Sequence, residues 1–224
     1  MFLNDDLSSP LELDGRVWLR GALDDNDLAP FDAACGLVGR PEDRRKAGQA
    51  LAGALVAHAC LPALIGSLMQ GAHAVRAVSR RAPLDPGWSA PWRQGRVIAV
   101  RERLLAEGYR NWAQRSGVWH CQPPVEVLAG MLATRVFLDD AEDDDGALQI
   151  GLGSHRAGAV TVAGAADLAR TCPHETCHAR RGDVLVSRML TLSRSLPSQS
   201  SRARRSVRVD FAAAPLPGPL QWAM

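Results

Sequence analysis

The sequence predicts a mainly β protein with helices, a β-sandwich or jelly roll buttressed by an N-terminal helical segment. Three observations carry this. Short alternating apolar runs bounded by turn residues recur from residue 75 onward. The first third instead carries helix-start signals and apolar residues four apart. A length of 224 residues with 46% apolar content suits one domain, residues 1–224, with a sizeable core.

Taken in order, Arg16-Val-Trp-Leu-Arg20 alternates and reads as an opening strand. Asp24 to Asp27 start a helix through Leu28 and Phe31, Pro41-Glu42-Asp43 a longer one through Leu51 and Leu55, and Pro62 a third. Val75-Arg-Ala-Val78 and Arg96-Val-Ile-Ala-Val100 read as strands separated by a Pro/Gly/Trp-rich loop, Pro83 to Pro91. Residues 101–122 read as polar and irregular, and Pro123-Pro124 starts a helix. Strands follow at 135–138, 147–150, 183–186 and 206–211. Asp143-Asp-Asp-Gly146 is a turn between two of them, and Leu216 to Met224 reads as a tail.

Composition narrows the function. The net charge of +2 argues against a nucleic-acid binder, and no apolar run reaches the length of a membrane span. The N-terminus lacks the blocks of a signal peptide, and five widely spaced cysteines suggest reduced thiols, so a cytoplasmic protein is expected. Cations are nearly all arginine, Lys46 being the single lysine. The cluster Cys172, His174, Cys177, His178 has zinc-ligand types but no common finger spacing, and reads as a solvated loop.

Met131-Leu-Ala-Thr-Arg-Val-Phe-Leu-Asp-Asp-Ala-Glu-Asp-Asp-Asp-Gly-Ala-Leu-Gln-Ile-Gly-Leu-Gly-Ser-His-Arg-Ala-Gly158 resembles the phytanoyl-CoA dioxygenase family, in which a Leu-Asp-Asp strand end, an acidic turn and a Gly-Ser-His-Arg segment follow one another. Pro91-Trp92, Val97 to Val100, Gly117 to Val125, and Gly182 to Leu185 through Arg204-Arg205 extend the likeness over about residues 15–212. The resemblance implies a double-stranded β-helix, a cupin-like jelly roll. It also implies Fe(II) and 2-oxoglutarate chemistry on a two-His, one-carboxylate facial triad.

On this resemblance the iron-ligand positions hold Arg93, Gly95 and Ser193 in place of His, Asp and His. A guanidinium has no lone pair to donate, glycine has no ligand, and a hydroxyl is a poor substitute for imidazole. A family branch with glycine at the carboxylate position binds halide there but keeps both histidines, so that reading fails. Arg204 falls about eleven residues after Ser193, where the family pairs an arginine with the distal carboxylate of 2-oxoglutarate. Arg204 is therefore either a retained carboxylate anchor or a solvated strand-edge charge. Arg93 has likewise either drifted or become an anion anchor.

Neighbouring positions supply the other candidates. Trp92, Gln94, Gly95 and Gln122 are expected to line the cavity. His120 either lines it or caps the helix after Pro123, and in a metal-free reaction Arg93, His120 and Ser193 would act. His155 reads as a turn-fixing hydrogen bonder, and His58 and His73 carry no site signal.

The sequence thus describes a family member that has lost the triad, binding no metal and needing no cofactor. It would serve as a small-molecule-binding pseudoenzyme or a metal-independent cyclase or isomerase. Its ligand would be small and anionic, 2-oxoglutarate or another carboxylate held through Arg204. An oxygenase with displaced ligands and a protein-interaction module are the alternatives.

Overall fold

Apolar residues on one face of each central strand need a partner layer, and the N-terminal helices supply it. In the computed structural model, which describes residues 7–36, 43–57, 59–81, 87–142, 146–199 and 204–224, four helices precede most of the sheet. They are α1 (Ser8–Leu13), α2 (Asp25–Gly36), α3 (Asp43–Ala57) and α4 (Cys60–Leu68). Asp24 Oδ1 accepts the backbone N–H groups of Asn26 and Asp27, satisfying donors that the start of α2 leaves open. Leu28 and Phe31 of α2, Leu51 and Leu55 of α3, and Leu61 and Ile65 of α4 are all buried against the sheet. No single helix among the described residues is long and apolar enough to cross a membrane.

The sheet they cover has five antiparallel strands. These are β1 (Arg16–Leu19), β10 (Val184–Arg188), β7 (Met131–Phe137), β12 (Arg205–Ala212) and β2 (His73–Arg81), in that order. Val207, Val209 and Phe211 of β12, with Leu132 and Val136 of β7 and Val184 and Val186 of β10, form the helix-facing core. Opposite lies a four-stranded sheet in the order β3 (Ala90–Arg93), β11 (Ser193–Ser195), β8 (Leu148–Gly151), β9 (His174–Cys177). A smaller sheet of β4 (Ile98–Val100), β6 (Val118–Gln122) and β5 (Arg110–Arg115) packs at one end. Two short α-helices, α5 (Val125–Ala129) and α6 (Gly164–Arg170), and a single 3-10 turn (Ser154–Ala157) complete the described elements. Antiparallel sheets face to face with helices outside make a jelly roll, as the sequence predicts.

The differences from expectation are local. Residues 101–122 are not irregular. β5 and β6 form a hairpin whose two turn residues, Ser116 and Gly117, have φ of 50° and 80°, the left-handed pair that a tight hairpin needs. The predicted loop at 172–178 is the edge strand β9, paired with β8 along its length. The stretch from Leu216 is no tail. Leu216, Leu220 and Trp222 are buried, Trp222 bridges to Val100, and Ala223 donates to the Ala99 carbonyl at 3.2 Å. The Pro41-Glu42 helix start, residues 83–86 of the 83–91 loop, the Asp143–Asp145 turn and His58 lie outside the described residues.

Because Trp222 closes the core beside β4, Trp222→Ala should destabilise the protein by about 3 kcal/mol. Urea unfolding measures this. An unchanged midpoint would mean that the segment only lies on the surface.

Candidate functional site

The structure brings together Arg93, Gly95 and Ser193, the three positions that the family likeness singles out. Arg93 of β3 is the register partner of Ser193 of β11. The Ser154 hydroxyl donates to the Gly151 carbonyl at 2.6 Å and accepts the Leu192 N–H at 2.8 Å, which fixes where β11 begins. Two residues beyond Arg93, the Gly95 N–H donates to the Met189 carbonyl at 3.0 Å. A Cβ at Gly95 would overlap Met189 Sδ and stand 2.9 Å from Met189 Cγ. The methionine thus fills the space into which a side chain at position 95 would project. Arg208 Nη2 lies 3.0 Å from the Met189 sulfur on the far side.

The remaining cavity measures about 40 Å³, with Gly95, Arg135, Ser187, Met189, Ser193 and Arg208 among its lining. That volume holds roughly two or three waters, whereas pockets for whole organic ligands run to several hundred Å³.

The residues present do not fit a facial-triad iron. Arg93 extends a guanidinium, donates to the Pro91 carbonyl at 3.3 Å, and keeps part of its side chain in solvent. Burial first, and then Arg208, lowers its pKa, yet it remains a cation. Gly95 and Ser193 offer between them a single hydroxyl. Among the described residues no group of three or more His, Cys, Asp or Glu side chains is placed to hold a metal ion. This donor set supports no reaction step through iron.

Several predicted lining residues face elsewhere. Trp92 turns outward, its ring 4.8 Å from that of His174 and 4.9 Å from the Arg194 guanidinium, and it packs on α6. Strand alternation explains this, since Trp92 and Arg93 point to opposite faces. Gln94 is buried with its amide committed. Nε2 donates to the Gly158 and Leu190 carbonyls at 2.7 and 2.8 Å, and Oε1 accepts the Val160 N–H at 2.9 Å. It staples two loops and has no donor left for a ligand. Gln122 accepts from Asn111 Nδ2 at 2.9 Å within the small sheet, away from the cavity. Arg204 donates to the Gly146 carbonyl at 2.8 Å and does not line the cavity, whereas Arg208, four residues further along, does.

His120 is 7% exposed and Nδ1 lies 3.0 Å from the Val118 carbonyl. It does not cap α5, whose first turn has no side-chain cap. Its neighbour is Arg76, not the Arg93–Ser193 pair. The histidine and cysteine cluster is dispersed too. On β9, His174 and Cys177 fall on opposite faces. His174 Nε2 lies 2.7 Å from the Ala169 carbonyl, and the Cys177 thiol is buried, pushed up to about 12 by desolvation and by Glu175. His155 Nε2 lies 3.1 Å from the Glu12 carbonyl, as a turn-fixing role requires.

The charged lining that sequence reasoning missed comes from the large sheet. Arg208 on β12 is the register partner of Arg135 on β7. Arg80 and Arg76 on β2 pair with Ser206 and Asp210 of β12, on that same face. Desolvation and mutual repulsion lower all three of Arg76, Arg80 and Arg135, Arg80 to about 10 and Arg135 to about 9. The signal was in the sequence. In Ser206-Val-Arg-Val-Asp-Phe211 the polar face is as regular as the apolar one. In a sheet whose apolar face packs on helices, the polar face must point into the jelly roll.

Two packed sheets with a helical layer and a small polar interior define a class, the double-stranded β-helix proteins. Comparison narrows it: residues 14–206 match the phytanoyl-CoA dioxygenase (PhyH) family, and the chain belongs to that family. Among solved structures, the non-heme alpha-ketoglutarate-dependent epimerase SnoN from nogalamycin biosynthesis shares the fold. It has 15% identity and a TM-score of 0.66, over 93% of this chain and 82% of SnoN. AviO1 from Streptomyces viridochromogenes Tue57 has 16% identity and a TM-score of 0.66, over 95% and 96%. The non-heme alpha-ketoglutarate-dependent carbocyclase SnoK, from nogalamycin biosynthesis as well, has 14% identity and a TM-score of 0.65, over 94% and 84%. A comparison with curated proteins finds no match.

Since Met189 occupies the space beside Gly95, Gly95→Asp should cost about 1–3 kcal/mol, and adding Met189→Ala should recover part of that. A double-mutant cycle in urea reads the coupling, and strict additivity would show that the two do not compete.

A pH dependence follows from His120. Burial first, then Arg76 and Arg115, hold its pKa below 6.5, against the opposing pull of the Val118 carbonyl. The unfolded chain therefore takes up the proton first. Stability from the neutral ring is full above 6.5 and is lost as pH falls from that value through the lower pKa of the folded state. Unfolding midpoints should drop more steeply for the native protein than for His120→Gln between about pH 7.5 and 5.5. Parallel curves would place the titration elsewhere.

Proposed function

We propose that this phytanoyl-CoA dioxygenase family member does not oxidise substrates through a triad-held iron and works as a small-molecule-binding pseudoenzyme. The observation that carries this reading is the combined state of the three positions. Arg93 faces Ser193, and Gly95 is closed over by Met189, so neither donors nor space for a metal with its cosubstrate are present. Binding is favoured over metal-free cyclisation or isomerisation because His120, the proposed proton carrier, is not among the residues that line the cavity.

An interaction module is the second reading. It draws on the same cavity, whose volume of about 40 Å³ admits only a small group. An oxygenase with displaced ligands would need another donor set, and the described residues offer none. SnoN and SnoK are named as alpha-ketoglutarate-dependent enzymes, and at 14–15% identity they lend this chain their fold alone.

Purified protein titrated anaerobically with Fe(II) and 2-oxoglutarate should hold far less than one iron per chain and release no succinate on exposure to O₂. Stoichiometric iron accompanied by succinate would overturn the reading.

A further inference from the structure

The interior face of the large sheet carries more positive charge than its own acids balance. Arg76, Arg80, Arg135 and Arg208 stand on neighbouring positions of β2, β7 and β12, and Arg93 of β3, outside the cavity lining itself, is close enough for its charge and those of Arg80 and Arg208 to act on one another. Among the described residues, one carboxylate pairs with members of this group. Asp210 accepts from Arg76 Nη1 at 3.1 Å and from Arg208 Nε at 2.7 Å. Arg135 donates to the Ser206 hydroxyl at 3.2 Å and Arg93 to a carbonyl, and neither forms an ion pair. Arg80 has no hydrogen-bond or ion-pair partner among the described residues.

Like charges gathered in a low-dielectric interior are costly unless something neutralises them. The cluster is also directional. Arg135 and Arg208 line the cavity floor, while Arg80 and Arg93 are more than a third exposed and keep a path to solvent. Ser193 adds a hydroxyl to the lining, whereas the Ser187 hydroxyl already donates to the Ala133 carbonyl at 3.3 Å.

We propose that this arginine cluster binds a compact oxyanion of charge −2 or more, a single phosphoryl group, with the rest of the ligand, a second phosphoryl group included, directed to solvent past Arg80 and Arg93. Three features select this chemistry. Four guanidiniums in excess over one carboxylate exceed what a single carboxylate ligand neutralises. A phosphoryl group carries about two charges and three strong acceptor oxygens, and arginine forks match it bidentately. The cavity admits a group of a few heavy atoms and not a whole organic ligand. The proposal rests on the reading that the interior holds a small ligand, but not on the loss of iron.

The test is isothermal calorimetry of the full chain at low salt with inorganic phosphate, pyrophosphate and succinate. Pyrophosphate should bind with a Kd below about 1 mM, inorganic phosphate more weakly, and succinate at least about tenfold more weakly than pyrophosphate. Arg208→Gln should weaken pyrophosphate by about tenfold or more. Arg80→Gln, at the solvent-facing end of the cluster, should weaken it about fivefold. Thermal unfolding should show pyrophosphate raising the Tm of the native chain and not of Arg208→Gln. No heat with either phosphate probe, or binding indifferent to both substitutions, overturns the proposal. So does succinate matching pyrophosphate, which would assign a carboxylate ligand. The iron titration fails or succeeds independently of all these readings.

Discussion

The apolar face of the central strands, pressed against the helices, is the constraint on which the rest of the structure depends. Val207, Val209 and Phe211 of β12 are fully buried against residues such as Phe31, Leu51 and Ile65. Each such side chain contributes roughly 1.5–3 kcal/mol on leaving water. Strand geometry then leaves no choice for the intervening residues. Ser206, Arg208 and Asp210 must point the other way, into the space between the sheets. The polar interior is therefore a by-product of where the helices sit, and its charges are held in place by packing energy from the opposite face.

That interior is defined by its electrostatics. Asp210 is fully buried and is shared by two arginines, a charge-assisted arrangement that fixes both guanidiniums. Arg208 also reaches the sulfur of Met189, which in turn closes over Gly95. A dication approaching this point would meet Arg93 and Arg208 before meeting any donor. Arg93, Gly95 and Ser193 are thus part of a connected arrangement, Arg93 in register with Ser193 and Gly95 closed over by a methionine that Arg208 touches.

Much of the architecture is legible in the sequence because it follows from periodicity. The four-apart leucines of α3 and the alternation of β12 both lie where pattern and burial agree. The placement of Arg93 against Ser193 is also accessible, through the family likeness of the segments around them. What escapes reading has a physical cause in each instance. The β5–β6 hairpin is polar, with Arg110, Asn111, Gln114 and Arg115 on an exposed strand, so alternation is weak. β9 pairs along one edge only, and its Cys and His residues suggest chemistry where the backbone forms a ladder. Gln94 and Trp92 are close to Arg93 in sequence, but an extended backbone sends neighbours to opposite faces. Spacing points to Arg204, and the cavity takes Arg208 instead, since spacing does not say where along a strand a pocket opens. The C-terminal stretch looks like a tail because prolines and glycine break its pattern, yet its apolar residues still fill the core.

The pairing of the large sheet also says how the molecule must assemble. β1 lies beside β10, with Arg16 opposite Ser187, and β2 lies beside β12, with His73 opposite Ala212. Every partner of an early strand is thus made late. During synthesis the helices and the first two strands emerge with their apolar faces uncovered and wait for residues beyond 180 before the sheet can zip. Such long-range closure is slow, on the order of milliseconds to seconds. In that interval the exposed strand edges invite association with other chains. The same topology that protects the finished interior leaves its strand edges open until the last strands are made.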